Sequence, residues 1–226
     1  NINSERLISV MSVVNDELAI EEKGIYSIEK FLTARRLMYW QVYLHKTSLV
    51  AEQMITRILK RAKELTHKGV KLEASSALSF FLNNSTNSNN FEISTLNQFS
   101  LLDDYDIMSA LKSWQFHDDF VLSHLSEMIL NRNLLKIKLR NKAFSSSKLE
   151  AVKKDVMLEY KLDTHEASYF VFHGHVDNLA YNPKQGGLKI LYKNGNTKDI
   201  IKASDHLSSK VLSKTVSKHY ICFPKD

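Results

Sequence analysis

The residues best suited to chemistry lie in one stretch without glycine or proline, Phe31-Leu32-Thr33-Ala34-Arg35-Arg36-Leu37-Met38-Tyr39-Trp40-Gln41-Val42-Tyr43-Leu44-His45-Lys46. If the stretch is helical, the step from Arg35 to Lys46 is about three turns, which puts the two cations on one stripe roughly 16 Å apart. Tyr39 and Tyr43 then fall close to the same face. Arginine offers a planar fork that matches phosphate oxygens, and tyrosine offers a ring face and a hydroxyl suited to a base or a sugar. Such a stripe has the length and the residue types to span a nucleotide. Taken alone, the same pattern is more often a buried helix whose long cationic side chains reach solvent over packed tyrosines.

Other constellations weigh less. His173-Gly174-His175 would set two imidazoles on one face of a strand, the spacing of some metal sites, but no third ligand is evident and Asp177 would need a turn to converge. Ordinary strand histidines are the expectation. Asp103, Asp104 and Asp106 could chelate a cation, yet acids at a helix start are what capping and the helix dipole select. His117-Asp118 is an adjacent His-Asp pair in a polar link, where Asp118 or Asp119 suits a turn or an N-cap. Cys222, between Ile221 and Phe223, reads as a buried strand thiol with nothing nearby to activate it.

The elements that must position these residues follow from periodicity. A short helix holds Leu7, Ile8, Met11 and Val14, the Asn15-Asp16 pair marks a turn, and Glu17 to Glu22 alternates as a brief strand closed by Gly24. From Tyr26 to Thr66 the apolar spacing predicts one long helix, straight or kinked, its middle from Leu37 to Leu44 surrounded by protein. Ser75 to Leu82 reads as a helix, and the polar run from Asn83 to Asn90 as a mobile loop. Helices follow at Asp106–Lys112 and Asp119–Asn131, then an exposed strand at Leu134–Leu139. Beyond Ser145-Ser146-Ser147 come a helix (Leu149–Tyr160), strands (Ala167–His173 and Leu188–Tyr192), a turn at Asn194-Gly195-Asn196, a short helix (Ser204–Leu212) and a last strand (Lys218–Phe223). The expected class is mainly α with one long central helix over residues 1–145, followed by a small α+β domain over residues 146–226.

Composition narrows the function classes. A chain of 226 residues with 43% apolar content can bury a core, and its single cysteine excludes an internal disulfide and fits a reducing, cytoplasmic setting. No apolar run reaches the length of a membrane span, and the polar start lacks the apolar centre of a signal peptide. The net charge of +6 is concentrated in the last 81 residues, which hold thirteen lysines and no arginine. Scattered lysine without interleaved arginine and aromatics is usually a solvated surface, so nucleic acid is not the expected partner.

The helix with Arg35, Tyr43, His45 and Lys46, preceded by Glu17-Leu18-Ala19-Ile20-Glu21-Glu22-Lys23-Gly24, resembles the "R…Y-x-H-K" helix of HD-domain deoxynucleoside-triphosphate triphosphohydrolases, a group that includes the SAM-and-HD-domain phosphohydrolases. Leu102-Asp103-Asp104-Tyr105-Asp106-Ile107, Leu111-Lys112 and Asn131-Arg132-Asn133-Leu134 are similar to the family's next block. The resemblance covers residues 1 to 140 and fades to similarity of layout beyond them. It implies a metal-dependent hydrolase that cleaves (deoxy)nucleoside triphosphates to nucleoside and triphosphate, using a divalent ion such as Mn²⁺, Mg²⁺ or iron held by a His, a His-Asp pair and a distant Asp. It further implies that these ligands precede Asn1, so that the chain is a C-terminal half with no metal of its own and no activity alone. His117-Asp118 does not match that pair, because no His precedes it at the family's distance.

By the same resemblance Arg35 would hold the terminal phosphates, with Tyr43 on the sugar side, and His45 and Lys46 match positions near a regulatory nucleotide site in some members. The family often has Gln where this chain has Leu44, which leaves base or sugar selectivity open. A nucleoside triphosphate and further copies of the chain are the expected partners. The competing expectation is a non-catalytic regulatory or assembly module that binds a nucleotide or a protein.

Overall fold

The computed structural model describes residues 3–85, 92–178, 181, 187–205 and 216–225, Tyr43 by its backbone alone. Along the chain run α1 (Ser4–Ser9), β1 (Met11–Val14), β2 (Glu17–Glu21), a 3₁₀ turn (Glu22–Gly24), α2 (Ile25–Met38), a π-helical turn (Tyr39–Tyr43) and α3 (Lys46–His67). These are followed by α4 (Ser76–Asn83), α5 (Ile93–Leu101), α6 (Asp104–Trp114), α7 (Phe120–Leu130), β3 (Lys136–Arg140), α8 (Ser146–Tyr160) and α9 (Thr164–Phe170). The last elements are β4 (Phe172–Asn178), β5 (Lys189–Leu191), β6 (Thr197–Asp199), α10 (Ile200–Ala203) and β7 (Val216–Phe223). The strands make a four-stranded sheet in the order β1-β2-β5-β6 and a three-stranded sheet in the order β3-β7-β4. No helix among the described residues is long and apolar enough to cross a membrane.

Contacts divide the chain into two compact units, one of residues 1–45, 140–142 and 175–219, the other of residues 46–139, 143–174 and 220–226. This partition differs from a single cut at Ser145, since residues 175–219 group with the beginning of the chain.

In the first unit, β1 and β2 form an antiparallel hairpin, with Met11 opposite Ile20 and Val14 opposite Glu17. Asn15 and Asp16 both take left-handed φ values, 52° and 60°, the geometry that matches a two-residue turn to strand twist. The hairpin occupies Met11 and Val14, so the helix expected to reach Val14 ends at Ser9. β5 joins β2 in parallel, Ile190 opposite Ile20, and turns back into β6 around Gly195 at φ +80°. Leu7, Val10, Ile20, Ile28, Leu32, Ile190 and Ile200 make the core. Gly24 passes so close to it that a Cβ there would lie 2.6 Å from Val10 Cγ2 and 2.8 Å from Ile20 Cγ2.

The long helix expected from Tyr26 to Thr66 is interrupted. Leu44 N–H donates to the Tyr39 carbonyl at 2.7 Å, an i→i−5 bond, and helical structure resumes only at Lys46. Leu37, Met38 and Val42 are 52%, 45% and 46% exposed, in contrast to the surrounded middle that their apolar character implied.

In the second unit, α3 buries Leu49, Val50, Met54, Ile58, Arg61, Ala62 and Leu65, a stripe at helical spacing that packs against α4 and α7. It stops at Gly69, φ +86°, where Gly69 N–H donates to the Thr66 carbonyl and Val70 N–H to that of Leu65. The same two-bond stop ends α7, with Arg132 at φ 55°, and Lys161 takes the left-handed position after α8, at φ 54°, although neither is glycine. Asp103 with Asp106, and Asp163 with Glu166, form capping boxes on α6 and α9. The helical bonds of α9 claim residues 164–170, so the expected strand from Ala167 begins only at Phe172.

One arginine organises this interior. Arg61, 5% exposed, donates from Nε and Nη2 to the two carboxylate oxygens of Asp119 at 3.0 and 2.6 Å. Its Nη1 reaches Glu64 at 3.4 Å and its Nη2 lies 3.6 Å from Glu166. Glu64 also accepts from the Tyr169 hydroxyl and pairs with His165 Nε2 at 3.1 Å. Asp119 further caps α7 by accepting from Leu122 N–H at 2.9 Å. Burial opposes the charge on Asp119, but the Arg61 fork and the Leu122 amide outweigh it and hold the carboxyl below its usual range.

Two outcomes are expected. Because the folded pKa of Asp119 is depressed below the unfolded value of about 3.9, its contribution is present above that value and fades as pH falls through the lower folded one. In urea unfolding, Asp119→Asn should cost about 3–5 kcal/mol at pH 7 by stranding the Arg61 charge, and should flatten the loss of stability below about pH 4. Wild-type stability in that variant would refute the role given to the pair. Lys161→Gly removes left-handed strain at an exposed position and should raise stability by about 1 kcal/mol, read as a higher Tm.

Candidate functional site

The stretch that could carry chemistry begins on the last turns of α2. That helix buries Ile28, Glu29 and Leu32 and leaves Phe31, Arg35, Leu37 and Met38 exposed. Arg35 and Tyr39, one turn apart, form a pair: Arg35 Nη2 donates to the Tyr39 hydroxyl at 3.3 Å, and the guanidinium carbon lies 5.2 Å from the centre of the Tyr39 ring. No carboxylate pairs with Arg35 among the described residues. The guanidinium is therefore exposed, oriented by a tyrosine, and bordered by apolar side chains.

The π-turn re-aims the residues beyond it. Inserting one residue into a turn rotates all later side chains by roughly 100° relative to an unbroken α-helix. The single stripe expected through Arg35, Tyr39, Tyr43 and Lys46 assumed an unbroken helix, and the described contact along it is that of Arg35 with Tyr39. Tyr43 lies at the end of the π-turn, and its side chain is outside the described structure. His45 is an exposed residue of the link, and Lys46 is the exposed first residue of α3. Trp40, inside the π-turn, is covered by Lys218 of β7, whose Nζ sits 4.5 Å from the ring.

The remaining constellations resolve into structural roles. His117 Nδ1 accepts from Asp119 N–H at 2.9 Å, and Asp119 is the α7 cap, so the His-Asp dipeptide belongs to a helix start. Asp103 accepts from the amides of Tyr105 and Asp106, as acids at a helix start do. His173 and His175 both lie on the exposed face of β4, His175 3.6 Å from Asp177 and 6.1 Å from the His219 ring. Gly174 between them is required because a Cβ would meet the Tyr220 hydroxyl at 2.5 Å. Burial pushes the Cys222 thiol up to about 12, which leaves it unreactive.

Among the described residues no group of three or more His, Cys, Asp or Glu could hold a metal ion. The donor set of a divalent-metal centre therefore does not fit these residues.

Sequence reasoning missed Arg57 and Arg61. The available signal was their position: both are cations on the inward side of α3, beside the apolar series Met54, Ile58 and Leu65. Arg57 stacks on Phe172, 3.3 Å from carbon to ring centre, and donates to the Gln53 carbonyl and side-chain oxygens at 3.2 Å each.

Known proteins share this architecture. Residues 2–90 match the model of the HD associated region. The whole chain aligns with an uncharacterized protein, YwfO, of Bacillus subtilis at 26% identity, covering 51% of that protein. It superposes on the crystal structure of a phosphohydrolase from Bacteroides thetaiotaomicron with a TM-score of 0.90 and 45% identity, covering 56% of that chain. A hypothetical protein from Aquifex aeolicus shares the fold, with a TM-score of 0.56 at 22% identity and 48% of its chain covered. The chain thus spans about half the length of the relatives it matches, and these likenesses support an HD-superfamily context for it.

Proposed function

We propose that this chain works within a metal-dependent HD-type phosphohydrolase that converts (deoxy)nucleoside triphosphates to nucleoside and triphosphate. The carrying observation is Arg35: an exposed guanidinium with no carboxylate partner among the described residues, aimed by Tyr39, in a chain 45% identical to part of a phosphohydrolase. A fork held in this way is suited to a phosphate group, since its two donors match two oxygens and the tyrosine restricts its rotamers before ligand arrives. The exposed apolar border of Phe31, Leu37, Met38 and Val42 suits a face that contacts further protein. Tyr43 lines the sugar side in this reading, while His45 and Lys46 serve a regulatory nucleotide. The divalent ion, when bound, supplies an activated water, and its ligands come from outside the described residues. The setting is cytoplasmic.

A second reading, assembly into homo-oligomers, is favoured by α5 and the start of α6. Ile93, Leu96, Phe99, Leu101 and Tyr105 are 50–83% exposed, the first four on a helix, Ile93–Leu101, that contains no charge. Such a surface suits protein contact and is compatible with the hydrolase reading.

The test is hydrolysis of a nucleotide panel by the full-length protein with Mn²⁺ or Mg²⁺. Arg35→Ala should lower kcat/KM by about a hundredfold or more, with partial recovery in Arg35→Lys. Unchanged hydrolysis by Arg35→Ala would remove the phosphate assignment, and no hydrolysis of any triphosphate by the wild type would remove the activity.

A further inference from the structure

The second unit contains a cleft of about 490 Å³, within the range that holds small ligands. Three parts of the chain build it: α3 supplies Arg57, α8 supplies Ser146, Glu150 and Lys153, and α9 with the start of β4 supplies Ser168 and His173. Leu149, Val171 and Phe172 form its apolar wall.

Its charges are left incomplete by the protein. Arg57 is half-buried, and among the described residues its bonds engage Nη1, with Gln53, and the guanidinium face, with Phe172. No carboxylate pairs with it among the described residues. Burial lowers its pKa, but a guanidinium stays protonated at any physiological pH. Lys153, also half-buried, has no ion-pair partner among the described residues, although Glu150 stands one turn away on the same helix. Two half-buried cations face a cavity whose lining holds one carboxylate, Glu150, ion-paired to neither of them among the described residues, and the net positive charge left over is a cost that a bound anion offsets. The rim adds hydroxyl chemistry. Ser168 donates its proton to the His165 carbonyl at 2.5 Å and so presents lone pairs to the cleft, and the Glu150 carboxylate can only accept.

We infer that this cleft is a binding site for a small phosphorylated, hydroxyl-bearing molecule, its phosphate held between Arg57 and Lys153 and a hydroxyl received by Glu150. The site is separate from the role given to Arg35 and does not rest on it.

Calorimetric titration of the full-length protein in an Arg35→Ala/Lys46→Ala background, which removes the cations of the other two phosphate-binding candidates, tests this with inorganic phosphate and ribose 5-phosphate. Both ligands should bind one site per chain and compete, ribose 5-phosphate more tightly. Adding Lys153→Glu should weaken both at least about tenfold, equivalent to ~1.4 kcal/mol, without lowering Tm. Adding Glu150→Gln should weaken ribose 5-phosphate alone. Absence of binding at millimolar ligand, or wild-type affinity in Lys153→Glu, would overturn the site. Equal affinity for the two ligands would overturn the hydroxyl assignment.

Discussion

Arg61 enters the interior of the second unit from within a 22-residue helix, and the elements around it are arranged to keep that charge bonded. Its fork takes both oxygens of Asp119, and Asp119 is at once the cap of α7, so one carboxylate fixes the start of a helix and its attachment to α3. Glu64 accepts from Arg61 Nη1 and Glu166 lies within ion-pair distance of Nη2, and through Tyr169 and Glu166 the same network reaches α9. A buried ion pair gives little net stability relative to a well-packed apolar pair, but losing one member is severe. Its consequence here is specificity of arrangement, since a shift of α3 against α7 would part Arg61 from Asp119 and leave a buried charge without its partner.

The first unit meets a different constraint, that of close approach. Gly24 lies against Val10 and Ile20, where no side chain fits, and this sets the path from β2 into α2. The orientation of α2 in turn decides which residues face out, so the exposure of Arg35 follows from the burial of Ile28 and Leu32. The π-turn then separates Arg35 and Tyr39 from the residues after it. π-bulges are uncommon and concentrate at functional positions, because an extra residue re-aims side chains at a cost in backbone bonding that a plain scaffold has no reason to accept.

Much of this was legible in the residues. The turn at Asn15-Asp16, the acids that start α6 and the cap at Asp119 all have local causes, and each falls where side-chain chemistry placed it. The interruption at Leu44-His45 was not legible, since no glycine or proline marks it and the apolar spacing continues across it. The stops at Arg132 and Lys161 lack the glycine that usually signals a left-handed residue. The Arg57 cleft draws on residues 57, 146–153 and 168–173, and convergence over that separation is a property of packing with no periodic trace. For the candidate site, the stripe from Arg35 through Tyr39 and Tyr43 to Lys46 assumed an unbroken helix that the chain does not sustain, and the hydrogen bond between Arg35 and Tyr39 is a detail that spacing alone does not give.

The central claim is that Arg35 receives the phosphates of a nucleoside triphosphate. A crystal structure of the full-length protein with a non-hydrolysable triphosphate analogue tests it most directly. The account predicts a phosphate oxygen about 2.7–2.9 Å from the Arg35 guanidinium, as in charge-assisted pairs. A triphosphate bound elsewhere, with Arg35 still directed only at Tyr39, would contradict it.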